Sequence, residues 1–140
     1  MSTATITVSL VSPESVLFTG EATQVITRTL SGEIAFLPHH AAFLGALAEC
    51  HTRIYLVDGT ITDVAIHGGF VEVSNNKVNL LSDVAELADD IDRRRALVAK
   101  ERAEEILNHG QDAQASAALA RAHARLNATG GVTGTAAGAH

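Results

Sequence analysis

The sequence predicts an α+β fold: an N-terminal antiparallel β-sandwich or barrel over residues 1–87, then a C-terminal antiparallel two-helix hairpin over residues 88–128. Three observations carry this expectation. Up to Asp83, short β-branched runs alternate with turn residues, the spacing of an all-β domain. From there to Gly110 no Gly or Pro interrupts a stretch rich in Ala, Leu, Glu and Arg, which is helix-forming composition. The charge balance also shifts, from three Lys/Arg against nine Asp/Glu over residues 1–87 to seven against seven over residues 88–140.

Strands are expected at Thr5–Val11, Thr23–Thr29, Glu33–Leu37, Thr52–Val57, Thr60–Ile66, Phe70–Ser74 and Lys77–Ser82. Asp58-Gly59 and Asn75-Asn76 are pairs that tolerate positive φ, so each predicts a two-residue hairpin turn. Ile54 and Leu56 alternate with Arg53 and Tyr55, one face inward and one outward. Gly68-Gly69 predicts a bulge or sharp corner before Phe70. The first helix is expected to run to about Asn108, closed by Asn108-His109-Gly110, with Gly110 in the left-handed conformation. Asp112 is placed to cap a second helix running to about Asn127. So short a link folds the two helices back on each other. Ala115, Leu119, Ala122 and Leu126 form a narrow seam whose alanines contribute roughly 1 kcal/mol or less each, so the hairpin reads as detachable. The low-complexity tail, residues 129–140, is expected to be disordered.

A chain of 140 residues suffices for one domain with an appendage. Its net charge of -6 argues against a nucleic-acid grip, which needs a basic surface to displace counterions from phosphates. Cys50 is the single cysteine, so no intramolecular disulfide can form. The start, Met-Ser-Thr-Ala-Thr, lacks the basic-then-apolar pattern of a signal peptide. No apolar run reaches the roughly 20 residues of a membrane span. A cytoplasmic location is the default, with any membrane association made through a partner.

The cations of the helical region carry the chemistry. Ile91, Arg95, Val98, Arg102 and Ile106 are spaced by three or four residues and share a helix face, and Asp92 can pair with Arg95. Arg121 and Arg125 lie one turn apart on the second helix. Folded together, the helices could converge four guanidiniums on one anionic ligand; guanidinium forks match phosphate oxygens in bidentate geometry. The alternative is a solvated face neutralised by Glu101, Glu104 and Glu105. No Walker-type phosphate loop is present.

His39, His40, His51 and His67 suggest a different class, a free-standing β-barrel metalloenzyme with histidine ligands; but adjacent histidines on a strand point to opposite faces. Cys50 beside His51 could pair a thiol with a base, yet sequence neighbours seldom share that geometry and no third orienting group is evident. No carboxylate pair stands out for acid–base catalysis.

Four segments, Val11-Ser-Pro-Glu14, Ser31-Gly-Glu-Ile-Ala-Phe-Leu-Pro-His-His-Ala41, Gly68-Gly-Phe-Val-Glu-Val-Ser-Asn-Asn-Lys-Val78 and Ile91-Asp-Arg-Arg-Arg-Ala96, occur in the order seen in the epsilon subunit of bacterial F-type ATP synthase. The sequence resembles that family over about residues 5–127. The resemblance implies a non-catalytic rotor subunit on the cytoplasmic face of the bacterial cell membrane. Its sandwich would bind the gamma subunit and the c-ring, and its hairpin would extend into the alpha/beta catalytic head to restrain hydrolysis. It requires no cofactor and implies ATP as a regulatory ligand of the folded hairpin. The family's Ile/Leu-Asp-x-x-Arg-Ala motif is matched by Ile91, Asp92, Arg95 and Ala96, and its further ATP-binding positions by Glu86, Arg102, Arg121 and Arg125. Glu33 and His40 match subunit-contact positions. The family's Pro-Gly-His-Ala-Pro loop reads Pro38-His39-His40-Ala41-Ala42 here, and Arg93 and Arg94 add charge beside the motif. Within the family, a hairpin that acts as a purely mechanical brake without ATP remains an alternative.

Overall fold

A computed structural model describes residues 4–130. Seven strands come first: β1 (Ile6–Val11), β2 (Val16–Thr29), β3 (Gly32–Phe36), β4 (Phe43–Leu56), β5 (Ile61–Ser74), β6 (Lys77–Leu81) and β7 (Ala85–Leu87). A single 3₁₀ turn, Ala88–Asp90, leads to helices α1 (Arg93–Leu107) and α2 (Ala113–Gly130). The sheet order is β1-β6-β5-β4-β2-β3, and β1 also pairs with β2, so the sheet closes on itself. Every ladder is antiparallel except β1 with β6.

The core is aliphatic. Ile6, Val8 and Leu10 alternate inward on β1, Val78 and Leu80 on β6, and Phe36 joins them from the end of β3. Strands β4 and β5 are each 14 residues long and stay in register with each other throughout. Their inward parity changes between Leu47 and Cys50 on β4, and between Ile66 and Val71 on β5. Here both strands turn the corner from one layer to the other. Gly68 (φ 91°) and Gly69 (φ 128°) supply the required backbone, and a Cβ on Gly69 would lie 2.1 Å from the carbonyl oxygen of Leu81.

The expected strands are therefore present, but those that form β2, β4 and β5 were too short. β2 begins at Val16 and β4 at Phe43, and the two runs flanking Gly68-Gly69 are one strand. Asn75-Asn76 closes a two-residue turn with φ 49° and 60°. Four residues, Val57–Thr60, separate β4 from β5 rather than the expected two, and the Asp58 carboxylate accepts from the Thr60 amide and hydroxyl.

The helix expected from just after Asp83 starts later. Ala85–Leu87 pairs with β5, and helix begins only where the Asp92 carboxylate accepts from the Arg95 amide at 3.0 Å, capping the first turn. Asp92 thus binds the backbone of Arg95 rather than its guanidinium. Gly110 (φ 137°) closes the hairpin turn, and Asp112 accepts from the Ala115 amide at 2.9 Å to start α2. α2 continues through Thr129 and Gly130; the rest of the expected disordered tail, residues 131–140, lies outside the described residues.

The stripe expected on α1 faces solvent: Val98 is 48% and Ile106 43% exposed, whereas Ala96 and Ala103 are buried. Close antiparallel packing selects the smallest side chains for the interface, and Ala115 and Ala122 answer from α2, with Leu119 and Leu126 half-buried. A second line, Ala124 and Ala128, rests on Ala65 of β5 with Ile91 alongside. α2 lies against β4 and β5, with α1 outside it.

Candidate nucleotide cleft

Where α1, α2 and the β7 segment meet, a cleft of about 550 Å³ opens. Glu86, Asp90, Asp92, Arg95, Ala96, Val98, Ala99, Arg102 and Arg125 line it. Six of the eight residues singled out in the sequence therefore come together. Arg95 and Arg102 stand about two helical turns apart on the exposed face of α1, and Arg125 comes from α2. The other two do not join them. Ile91 packs on Ala65, Ala124 and Ala128 beneath the hairpin, where it anchors the chain entering α1. Arg121 is half-buried and outside the lining, so three guanidiniums converge rather than four.

The cleft's charge is organised from below by a chain of contacts. The Arg125 Nε–H donates to Glu86 Oε1 at 2.6 Å, and the same oxygen lies 2.9 Å from His67 Nε2. His67 Nδ1 in turn lies 2.7 Å from Glu49 Oε2. The imidazole is 2% exposed. Burial pushes the Glu86 carboxyl up, but the hydrogen bonds and charges of Arg125 and His67 outweigh it and hold it below its ordinary 4.5. An ionised Glu86 is thus fixed at the floor with Arg125 beside it. Arg95 and Arg102 make no ion pair among the described residues, which leaves their donors available. Three cations around an apolar strip of Ala96, Val98 and Ala99 suit a ligand with a flat apolar part and a phosphate tail.

Asp90 and Ala99 were not singled out in the sequence, although Asp90 stands only two residues before Asp92; Val98 was placed there on the face it shares with Arg95 and Arg102. The partners Glu49 and His67 had no local signal, because the chain joins residues far apart in sequence.

A larger cleft of about 760 Å³ lies on the other side of α2 against β4. It contains Glu33, whose carboxylate is 3.4 Å from the Arg53 guanidinium. Arg93 also lines it, but its guanidinium donates to the Leu126 carbonyl and the Thr129 hydroxyl, tying the start of α1 to the end of α2. His40 packs edge-on against Phe36, with ring centroids 4.9 Å apart, and its Nδ1 is 2.7 Å from the Ala41 carbonyl oxygen. His39 adopts φ 66° and donates its amide to Asn76 Oδ1 at 2.8 Å. It thereby takes the left-handed conformation a glycine would supply at that place in the loop.

The metalloenzyme reading finds no geometry to support it. The four histidines have separate surroundings, with His51 bonded to Asp63 at 2.6 Å, and no group of three or more potential ligands is placed to hold a metal among the described residues. Cys50 faces the core beside Thr27 and Thr52 while His51 points outward, so they form no dyad. No described helix is long and apolar enough to cross a membrane.

Comparison with known proteins agrees with this layout. Residues 5–88 match the model of the ATP synthase delta/epsilon chain β-sandwich domain, and residues 89–130 that of its long α-helix domain. An ATP synthase epsilon chain from Desulfitobacterium hafniense is 45% identical over 127 residues, covering 89% of this chain and 96% of that one. One from Streptomyces griseus is 41% identical over 121 residues, covering 86% and 92%. A chain in the Euglena gracilis mitochondrial ATP synthase assembly of OSCP, F1 and c-ring shares the fold, with a TM-score of 0.76 at 22% identity, covering 86% of this chain and 78% of that one.

Proposed function

The chain belongs to the ATP synthase delta/epsilon chain family, and from that membership we propose that it is a non-catalytic subunit of the central rotor stalk whose hairpin senses ATP. The sandwich couples rotation to synthesis by docking on the gamma subunit and the c-ring, at the cytoplasmic face of the bacterial membrane. The outer faces of β4, β5 and β6 suit such docking: Leu44 is 72% and Phe70 56% exposed, and Phe70 stands directly opposite Leu81. Glu33 and His40 lie on β3 and the β3–β4 loop, where we assign contact with neighbouring subunits.

The hairpin regulates hydrolysis by exchanging between the folded form seen here and an extended form that reaches the alpha/beta head. The observation that carries ATP binding is the convergence of Arg95, Arg102 and Arg125 on one cleft. Arg95 and Arg102 hold phosphates, Arg125 and Glu86 close the floor, and Ala96, Val98 and Ala99 receive the base. Because the cleft needs both helices and β7 together, a nucleotide binds only the folded form. It then stabilises that form by RT ln(1 + [L]/Kd), about 2.7 kcal/mol at a hundredfold excess over Kd. ATP thus favours the non-inhibitory state.

Isothermal titration of the full chain with ATP tests this, repeated for Arg95→Ala and Arg102→Ala. Each substitution is expected to weaken binding by roughly tenfold or more, the loss of a charged hydrogen bond. Unchanged binding in both variants would exclude the site.

A further inference from the structure

His67 touches both the sandwich and the regulatory cleft, and its chemistry is constrained by its neighbours. The ring sits on β5 at the corner between the two layers, 2% exposed, with each nitrogen against a different carboxylate: Nδ1 with Glu49 of β4 and Nε2 with Glu86 of β7. An ionised carboxylate only accepts, so both contacts are hydrogen bonds only when both ring nitrogens carry protons. The charges agree: Glu49, His67, Glu86 and Arg125 sum to zero with a doubly protonated ring and to -1 with a neutral one. The oxygen of Glu86 bonded to His67 is also the one that receives Arg125. The ring therefore supports the ion pair that joins α2 to the sandwich.

We propose that His67, as an imidazolium, is the positioning residue of the hairpin dock: it fixes Glu86 for Arg125, so docking weakens as rising pH removes the ring's second proton. The inference deepens the ATP-sensor reading, since the same carboxylate floors the nucleotide cleft, but it does not require a nucleotide. Other titratable groups share this face. His51 and Asp63 pair with each other further along β4 and β5, Arg53 reaches Glu33, His123 of α2 lines the neighbouring cleft, and Asp83 lines a groove with His67. None of these is bonded to the His67 ring.

Nitrogen-15 NMR of the His67 ring in the full chain across pH, beside amide exchange of α2 and titration with ATP, tests the proposal. In the docked form both ring nitrogens are expected to be protonated. Loss of the second proton is expected to coincide with faster α2 exchange and an ATP Kd raised on the order of tenfold. Glu49→Gln removes one acceptor charge while keeping the side chain's shape, and should move that loss of docking to lower pH; His67→Gln should abolish the alkaline dependence. A singly protonated ring in a docked hairpin overturns the proposal, even if ATP binds. Docking that follows the ring in a chain that binds no ATP sustains the latch and overturns the nucleotide reading alone.

Discussion

The sandwich and the hairpin bury different kinds of side chain. The sandwich closes over Phe36, Ile6, Leu10, Ile54, Ile66 and Leu80, all fully buried. The hairpin's buried apolar residues are all alanines: Ala96, Ala103, Ala115, Ala122, Ala124 and Ala128. A buried large aliphatic side chain contributes about 1.5–3 kcal/mol, several times what an alanine offers. The sandwich is accordingly a scaffold, whereas the hairpin holds on through a shallow apolar contact and one part-buried polar chain. An element meant to exchange between two positions needs free energies within a few kcal/mol of each other. Alanine interfaces provide that, and the Glu86–Arg125 pair supplies the specificity of the docked position.

The contrast can be broken most severely at Gly69. Gly69→Ala would set a Cβ against the backbone of β6 at a positive φ, so global stability should fall by about 3 kcal/mol or more. Chemical denaturation would show this as a lower midpoint for the whole sandwich. Ile54→Ala should cost about 2–5 kcal/mol in the same assay. It should leave the opening of the hairpin relative to the sandwich little changed.

The next effect is confined to the hairpin. Arg125→Ala leaves the part-buried Glu86 without its guanidinium and should loosen the dock by about 1–3 kcal/mol. Limited proteolysis should then cut α1 and α2 faster with the sandwich intact. Equal acceleration in both regions would show that they are one cooperative unit.

Acid should reach the same dock. The Glu86 carboxyl is held below its ordinary 4.5, so its contribution is fully present above that range and is lost as pH falls through the depressed value. Hairpin protection should therefore decline on acidification before the sandwich unfolds. The smallest effect is expected at Asp92→Ala, which removes the α1 cap and should cost about 1 kcal/mol of helix stability, read by circular dichroism.

The sequence shows the parts of the molecule that are decided locally. Asn75-Asn76 gives its own turn, Asp92 and Asp112 cap their own helices, and the spacing of Arg95 and Arg102 puts them on one face. Where distant packing decides, the reading falls short. Ala85–Leu87 has helical composition and becomes a strand because the edge of β5 at Val64–Ile66 is there to pair with it. Val98 and Ile106 are more apolar than Ala96 and Ala103, yet close helix contact takes the alanines. Arg121 lies one turn before Arg125 yet stays outside the cleft, because the stretch of α2 that borders the cleft is set by its packing with α1 and the β7 segment. The chain from Glu49 to Arg125 spans four elements, so no spacing in the sequence could reveal it.

The central claim is that the hairpin is a separately opening unit whose docked form is selected by a ligand in the cleft. Native-state amide hydrogen exchange on the full chain, with and without ATP, addresses it most directly. The account predicts that residues 93–130 open at lower free energy than the strands, and that ATP raises protection there alone. Equal protection in both regions, unmoved by ATP, would contradict it.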